Sequence, residues 1–222
     1  MDVILESFEH LLDPNWIMSK GGLYLVLIIL FIETGLFFGF FLPGDPLLFI
    51  SGMIIANAGD GAIPFDNELY NLFFWGILFV ISTILGNIVG YWSGNKFGYL
   101  FKGNKEGKRP LIKEKHIESA EEFYQKRGGF AILIARFLPV VRTFVPIVGG
   151  IVKMDFKRFM LFNILGAILW VVSITTAGFL LGENQWVQDN LEWTIFGIVA
   201  VVTLPVVFKM VFKKKPKQEV AE

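Results

Sequence analysis

Apolar residues gather in five stretches, 22–58, 72–91, 129–152, 159–181 and 193–212, with charged segments between them. Ahead of the first, Leu5, Phe8, Leu11 and Leu12 interleave at helical spacing with Asp2, Glu6, Glu9 and Asp13. That pattern predicts a short amphipathic helix within residues 1–20, ending near Asp13 and Pro14 and lying along a membrane surface. The stretches 72–91, 159–181 and 193–212 are uninterrupted and about 20 residues long, the length of a spanning helix. The other two are broken. Pro43, Gly44, Asp45 and Pro46 form a strong turn signal inside 22–58, and Pro139 and Pro146 break 129–152. Residues 46–58 would rise only about 20 Å as a helix, short of a hydrocarbon core of roughly 30 Å, so this arm is predicted to be re-entrant. The first arm, 22–42, is long enough to span, and both readings of it stay open.

The broken stretches also carry charge. Arg136 and Arg142 lie in R-F-L-P-V-V-R-T-F-V-P (136–146), and Glu33 and Asp45 lie in 22–58. A charged side chain at bilayer depth costs about 3 kcal/mol or more unless it is paired or reaches water, so all four are candidate functional residues. Broken backbone at that depth survives only when buried in protein or lining a wet cavity. A broken, arginine-bearing hairpin suits an anionic headgroup, because a guanidinium holds phosphate through two parallel hydrogen bonds. Carboxyls at the same depth can take up and release protons. Plainer alternatives exist. The stretch 129–152 could be one Pro-kinked span whose arginines snorkel to an interface, and Asp45 could be a helix N-cap at the membrane surface.

Flanking charge favours the hairpin. Residues 96–127 hold nine basic side chains against five acids, and Lys213, Lys214, Lys215 and Lys217 lie near the chain end. Residues 60–70 and 182–192 hold acids without lysine or arginine. Basic loops stay cytoplasmic, which puts 96–127 and the C-terminal tail inside and the acidic loops outside. Lys126 and Arg127 precede 129–152, and Lys153, Lys157 and Arg158 follow it. Both its flanks belong inside, so the stretch must enter and return, with its tip near 139–143. The mostly acidic flanks of 22–58 indicate entry from outside. The predicted fold is an all-α polytopic membrane protein. Two oppositely oriented re-entrant hairpins, each followed by a spanning helix, form an inverted repeat, with an N-terminal amphipathic helix and a C-terminal span added. The boundaries are an N-terminal segment 1–20, a core 21–182, and a last span with basic tail, 183–222. The core divides into hairpin 22–58, span 72–91, cytoplasmic loop 92–128, hairpin 129–152 and span 159–181. Phe41-Leu42-Pro43 is echoed by Phe137-Leu138-Pro139, and Ile84-Leu85-Gly86 by Ile164-Leu165-Gly166. Inverted repeats with broken helices are a transporter design.

Composition excludes several alternatives. Hydrophobic residues make up 54% and charged residues 18%, with mean hydropathy +0.59, which rules out a soluble core. The 222 residues leave room for one membrane domain and no separate soluble domain. No cysteine is present, which removes disulfides and thiol chemistry, and His10 and His116 are too few for a histidine metal site. No catalytic residue, cofactor, metal or nucleic-acid partner is expected. Lys102 and Arg109-Pro110 imitate the first motif of lipid phosphatases, but the Ser-Gly-His such a site needs does not occur.

The stretch F-Y-Q-K-R-G-G-F-A-I-L-I-A-R-F-L-P-V-V-R-T-F-V-P-I-V-G-G (123–150) resembles the signature of the DedA family, also called the VTT or SNARE-associated domain family. Glu33 followed by Pro43-Gly44-Asp45 resembles the family's N-terminal acidic motif, and 86–98 resembles its third. The resemblance covers roughly residues 20–182. By it, Glu33, Asp45, Arg136 and Arg142 match the family's functionally important acids and arginines. Asn87 stands where an acid is common, so it receives no proton role, and Gly149 stands where alanine is common. The resemblance implies lipid translocation that depends on the proton-motive force. Bacterial members resemble carriers that return undecaprenyl phosphate across the cytoplasmic membrane, and relatives move phospholipids such as phosphatidylethanolamine. The expectation is thus a multi-pass protein of the bacterial cytoplasmic (inner) membrane with its C-terminus inside. Its partners would be a phosphate-bearing lipid, protons and the bilayer. Arg136 and Arg142 would hold phosphate, and Glu33 and Asp45 would couple to protons. Two alternatives remain. One is a phospholipid scramblase or flippase. The other is a proton- or cation-coupled small-solute transporter whose arginines only pair with the acids. The lipid, the direction, the proton stoichiometry and homo-oligomerisation stay open.

Overall fold

The computed structural model describes residues 13–57, 64–102, 133, 136, 139–191, 193, 194, 197 and 200, and every regular element among them is helical. The first, α1 (Pro14–Lys20), begins where the sequence pattern placed a helix end. The Asp13 carboxylate accepts the Asn15 N–H at 2.9 Å and Pro14 takes the first helical position, where a missing N–H leaves nothing unpaired. The amphipathic helix expected upstream falls on residues 1–12, outside the described residues. Gly21 and Gly22 then bend the chain by 95° into α2 (Leu23–Gly35). Gly22 has φ +60°, a conformation that costs glycine nothing.

The stretch 22–57 does not form one helix. Helix α2 holds 13 residues, about 20 Å. A 3-10 turn (Phe37–Phe41) follows, then extended Leu42, as befits a residue before proline, and then α3 (Gly44–Asn57). Pro43 and Gly44 mark the new helix start, and Pro46 lies in its first turn, where proline is tolerated. Helix α4 (Glu68–Lys102) opens on Asn67, whose side-chain oxygen accepts the Leu69 N–H at 2.9 Å. It continues past the expected end at Tyr91, so residues 92–102, read from sequence as loop, are helical.

Helix α5 (Pro139–Ile151) corrects the expected tip and break inside 129–152. Residues 139–143 are helical rather than a tip, and Pro146 lies inside the helix instead of breaking it. Proline at 146 removes the hydrogen bond to the Arg142 carbonyl. Packing compensates: Pro146 is buried against α4, where Gly90 lets it approach so closely that a Cβ at 90 would sit 3.3 Å from the proline Cβ. Asp155 caps α6 (Phe156–Leu181) by accepting the Arg158 N–H at 2.8 Å, and the Tyr91 hydroxyl donates to the Met154 carbonyl in the α5–α6 turn. The short α7 (Gln185–Asp189) follows. Residues 103–128 of the loop 92–128, most of the first arm of 129–152 and most of the span 193–212 lie outside the described residues.

Helices α4 and α6 are long and apolar enough to cross a membrane, and α1 with α2 makes a third candidate if the bent pair counts as one span. Their outward faces fit that solvent. On α4, Phe73, Ile77, Ile81 and Leu85 repeat every four residues and are all exposed. On α6, Leu161, Leu165, Leu169 and Val172 follow at steps of four, four and three and are exposed too. Continuous apolar stripes of this kind on two neighbouring helices belong in lipid. Inward, α5 packs along α4 and α3 along α6. The second contact is backbone-close: a Cβ on Gly52 would lie 2.6 Å from the Phe179 amide nitrogen, and one on Gly178 would lie 2.8 Å from the Phe49 carbonyl carbon. Small residues permit such crossings in lipid, where van der Waals contact must replace the hydrophobic drive.

Candidate functional site

The breaks in the chain bring all four charged candidates to one place. Glu33 lies in the last turn of α2 and Asp45 in the first turn of α3, so the Phe37–Phe41 turn folds one acid back against the other. Gly44 makes this possible: a Cβ there would lie 2.5 Å from the Glu33 carboxyl carbon. The acids also sit at the N-terminal end of α3, whose free N–H groups favour negative charge. From the opposite side, Arg142 projects from the first turns of α5. One of its terminal nitrogens donates to Glu33 Oε1 and the other to Asp45 Oδ1. A single guanidinium therefore spans two carboxylates, with side chains only 6%, 1% and 12% exposed for Arg142, Glu33 and Asp45. The fork geometry that makes arginine bidentate toward one anion here joins two.

Trp170, from α6, completes the clamp. Its indole N–H donates to Asp45 Oδ1 at 2.7 Å, and the Arg142 guanidinium carbon lies 4.4 Å from its ring centroid. The ring face attracts the cation while the ring edge fixes the acid. Arg136 also lies over this ring, at 5.8 Å.

Arg136 is held differently. Its Nη1 donates to the Asn163 side-chain oxygen at 2.9 Å and to the Asn163 carbonyl at 3.3 Å. That side-chain oxygen accepts a second bond, from Asn87 Nδ2 at 2.8 Å. Gly166 makes room for the arginine stem, since a Cβ there would lie 2.8 Å from Arg136 Cδ. Among the described residues no carboxylate pairs with Arg136, and its Nη2 is buried without a hydrogen-bond partner. Arg142 Nε and Glu33 Oε2 are likewise buried and unpartnered. A small hollow of about 10 Å³, room for about one water, lies between the arginines, lined by Asn87, Arg136, Arg142, Pro146, Phe159 and Asn163 among others. Charged donors facing a small, mostly apolar hollow can bind an anion strongly, because little water competes there.

Asn163 and Trp170 escaped the sequence reading, and Asn87 was noticed there without a role. One signal was available for Asn163, an amide within an otherwise apolar spanning stretch. Trp170 carried none, because a tryptophan in such a stretch reads as lipid-facing or core until its indole nitrogen is seen on Asp45. Among the described residues no group of acids or histidines is placed to hold a metal ion.

The profile of the VTT domain family matches residues 42–180. Protein DedA of Escherichia coli (strain K12) is 35% identical over 225 residues, covering 100% of this chain and 97% of that protein. Inner membrane protein YqjA of the same strain is 34% identical over 180 residues, covering 81% of this chain and 75% of its own. An uncharacterized membrane protein of Mycobacterium leprae (strain TN) is 34% identical over 212 residues, covering 92% and 89%. No solved structure matches. The matched segment contains Asp45, Asn87, Arg136, Arg142, Asn163 and Trp170, and with an alignment to DedA over the full length it establishes that the chain belongs to the VTT-domain (DedA) family of membrane proteins.

Proposed function

We propose that this protein is a transporter, not an enzyme, that carries a phosphate-bearing lipid across the bacterial cytoplasmic membrane, with undecaprenyl phosphate as the favoured substrate and the proton-motive force as the drive. The name of YqjA, an inner membrane protein, supports the location. In this reading 22–57 and 129–152 are opposed re-entrant hairpins of an inverted repeat, and the C-terminus is cytoplasmic. The packing supports it, because the second arm of each hairpin lies along the spanning helix that follows the other one, α3 on α6 and α5 on α4.

One observation carries the proposal. Arg142 is held by two acids, while Arg136, on the same cavity, keeps a buried nitrogen without a partner. Phosphate brought to the arginines competes with Glu33 and Asp45 for Arg142. A carboxylate that loses its cation at this depth is costly and is relieved by taking up a proton. Exchange of phosphate for the acids thus couples headgroup movement to protonation, while the lipid tail stays in the bilayer. One proton crossing at 100 mV supplies about 2.3 kcal/mol, enough for a gradient of under about a hundredfold. A solute transporter whose arginines merely neutralise the acids would account for Arg142 and leave Arg136 unexplained.

The test is transport by purified protein in liposomes, comparing a labelled polyprenyl phosphate with the neutral polyprenol, with and without a pH gradient. The phosphate lipid should move, the polyprenol should not, and Arg136→Ala should abolish movement. Equal rates for both lipids, or an unaffected Arg136→Ala, would refute the proposal.

A further inference from the structure

The charged cluster is sealed in this conformation. The hollow between the arginines has room for about one water, so no phosphate enters without movement of the surrounding helices. A lipid whose headgroup reaches Arg142 must also pass its hydrocarbon chain out between two of those elements. Several seams cannot part by side-chain motion, because backbones touch across them. A Cβ on Gly35 would lie 2.9 Å from the Gly86 carbonyl oxygen, where α2 meets α4. One on Gly150 would lie 2.7 Å from the Asn95 amide nitrogen, where α5 meets α4, and Gly52 and Gly178 hold α3 on α6 in the same way. The seam between the Phe37–Phe41 turn and α5 is different. None of the described glycines packs backbone on backbone across it, and side chains close it in two layers.

The inner layer is Arg142 on Glu33 and Asp45. The outer layer is Phe37 against Phe144, edge to face with ring centroids 5.3 Å apart. Phe144 lies on the outward side of α5 with exposed Val141 one turn before it, whereas Arg142 and Pro146 are buried on the inward side. The turn presents Phe38 and Phe41 outward, 75% and 64% exposed. Its underside rests on α2, where a Cβ on Gly39 would lie 2.5 Å from the Glu33 Cα. The N–H groups of Gly39, Leu42 and Gly44 donate to the Leu36, Gly39 and Leu42 carbonyls, so this irregular backbone can lie beside hydrocarbon.

Resting on the transport reading above, we infer that the seam between the Phe37–Phe41 turn and α5 is the lateral passage for the hydrocarbon chain of the carried lipid, closed here by Phe37 on Phe144. When phosphate takes Arg142 from its acids, the inner layer opens and the ring contact remains to be parted. Parting it lets the chain lie in the seam beside Phe38 and Phe41, continuous with the bilayer. The ligand class is a long apolar chain, since a free aqueous phosphate needs no such passage.

The chain has no cysteine, so a pair introduced at 37 and 144 reacts alone. The Phe37→Cys, Phe144→Cys protein is reconstituted in phosphatidylcholine liposomes and treated with a short bifunctional thiosulfonate. Movement of a labelled polyprenyl phosphate is followed before treatment, after it, and after reduction. Linking should slow movement about tenfold or more and reduction should restore it, because a tied seam cannot open. A purely structural contact would be unharmed by a link between two groups already touching. The pair Phe65→Cys, Phe74→Cys, whose rings meet at 5.6 Å at the start of α4, controls for the reagent and should keep its rate. Recovery on reduction identifies folded protein. If the cysteine pair does not fold, Phe37→Leu decides: it keeps apolar cover without the ring edge, and movement should quicken about threefold. A linked pair at 37 and 144 that moves lipid at the unlinked rate, equal slowing of both linked pairs, or a deciding Phe37→Leu at wild-type rate overturns this inference and leaves the transport reading standing. A wild type that moves no phosphate lipid overturns both.

Discussion

Removing Arg142 tests whether the charged cluster is the energetic centre of the fold. Glu33 and Asp45 are 1% and 12% exposed, and Arg142→Ala removes the cation that each bonds. Taking one partner from a buried ion pair costs about 3–5 kcal/mol, mostly from the charge left behind. Here two charges are left close together, so the upper end of that range applies, and at about 2–4 °C per kcal/mol the unfolding midpoint should fall by about 10 °C or more. The triple variant Arg142→Ala, Glu33→Gln, Asp45→Asn has no charge left in the cluster. Replacing a whole buried ionic group is often neutral, so the triple variant should recover most of the loss. The assay is thermal unfolding of the detergent-solubilised protein followed by size-exclusion recovery, run on the wild type, all three single variants and the triple. Strong non-additivity is the signature. If the triple variant is at least as unstable as the sum of its parts, the acids do not depend on Arg142, and the clamp seen between α2, α3 and α5 is not what stabilises them.

Three further outcomes follow, two from the geometry and one from the flanking charges. Trp170→Phe keeps a ring under Arg142 but loses the 2.7 Å bond to Asp45, so it should cost about 1.5–3 kcal/mol in the same unfolding assay, while Trp170→Ala should cost more through the emptied ring volume; equal losses would deny the indole N–H any role. Gly52→Leu should force α3 off α6 and abolish recovery of folded protein, whereas Gly76→Leu, with open space where its Cβ would point, should be recovered like the wild type. Cysteines introduced one at a time at 127 and 153 should both react with an impermeant reagent from the cytoplasmic face; labelling from opposite faces would restore a single span through 129–152.

The apolar stretches and the four charges inside them were legible in the sequence, because a charge at membrane depth is costly wherever the chain goes. The strong break at 43–46 was legible too, since proline and glycine act on the backbone locally. Three things were decided only by tertiary packing. Pro146 lost its helix-breaking role because α4 presents Gly90 to it, a neighbour 56 positions away in the chain whose contact no local pattern reveals. Likewise, Arg142 and not Arg136 took both acids, since α2, α3 and α5 converge where its fork can reach two carboxylates at once. Asn163 and Trp170 joined the site because α6 turns one face toward it, seven residues apart on that face. An amide in an apolar run marks a polar site without saying which, an indole marks none, and both hydrogen-bond partners come from elsewhere in the chain.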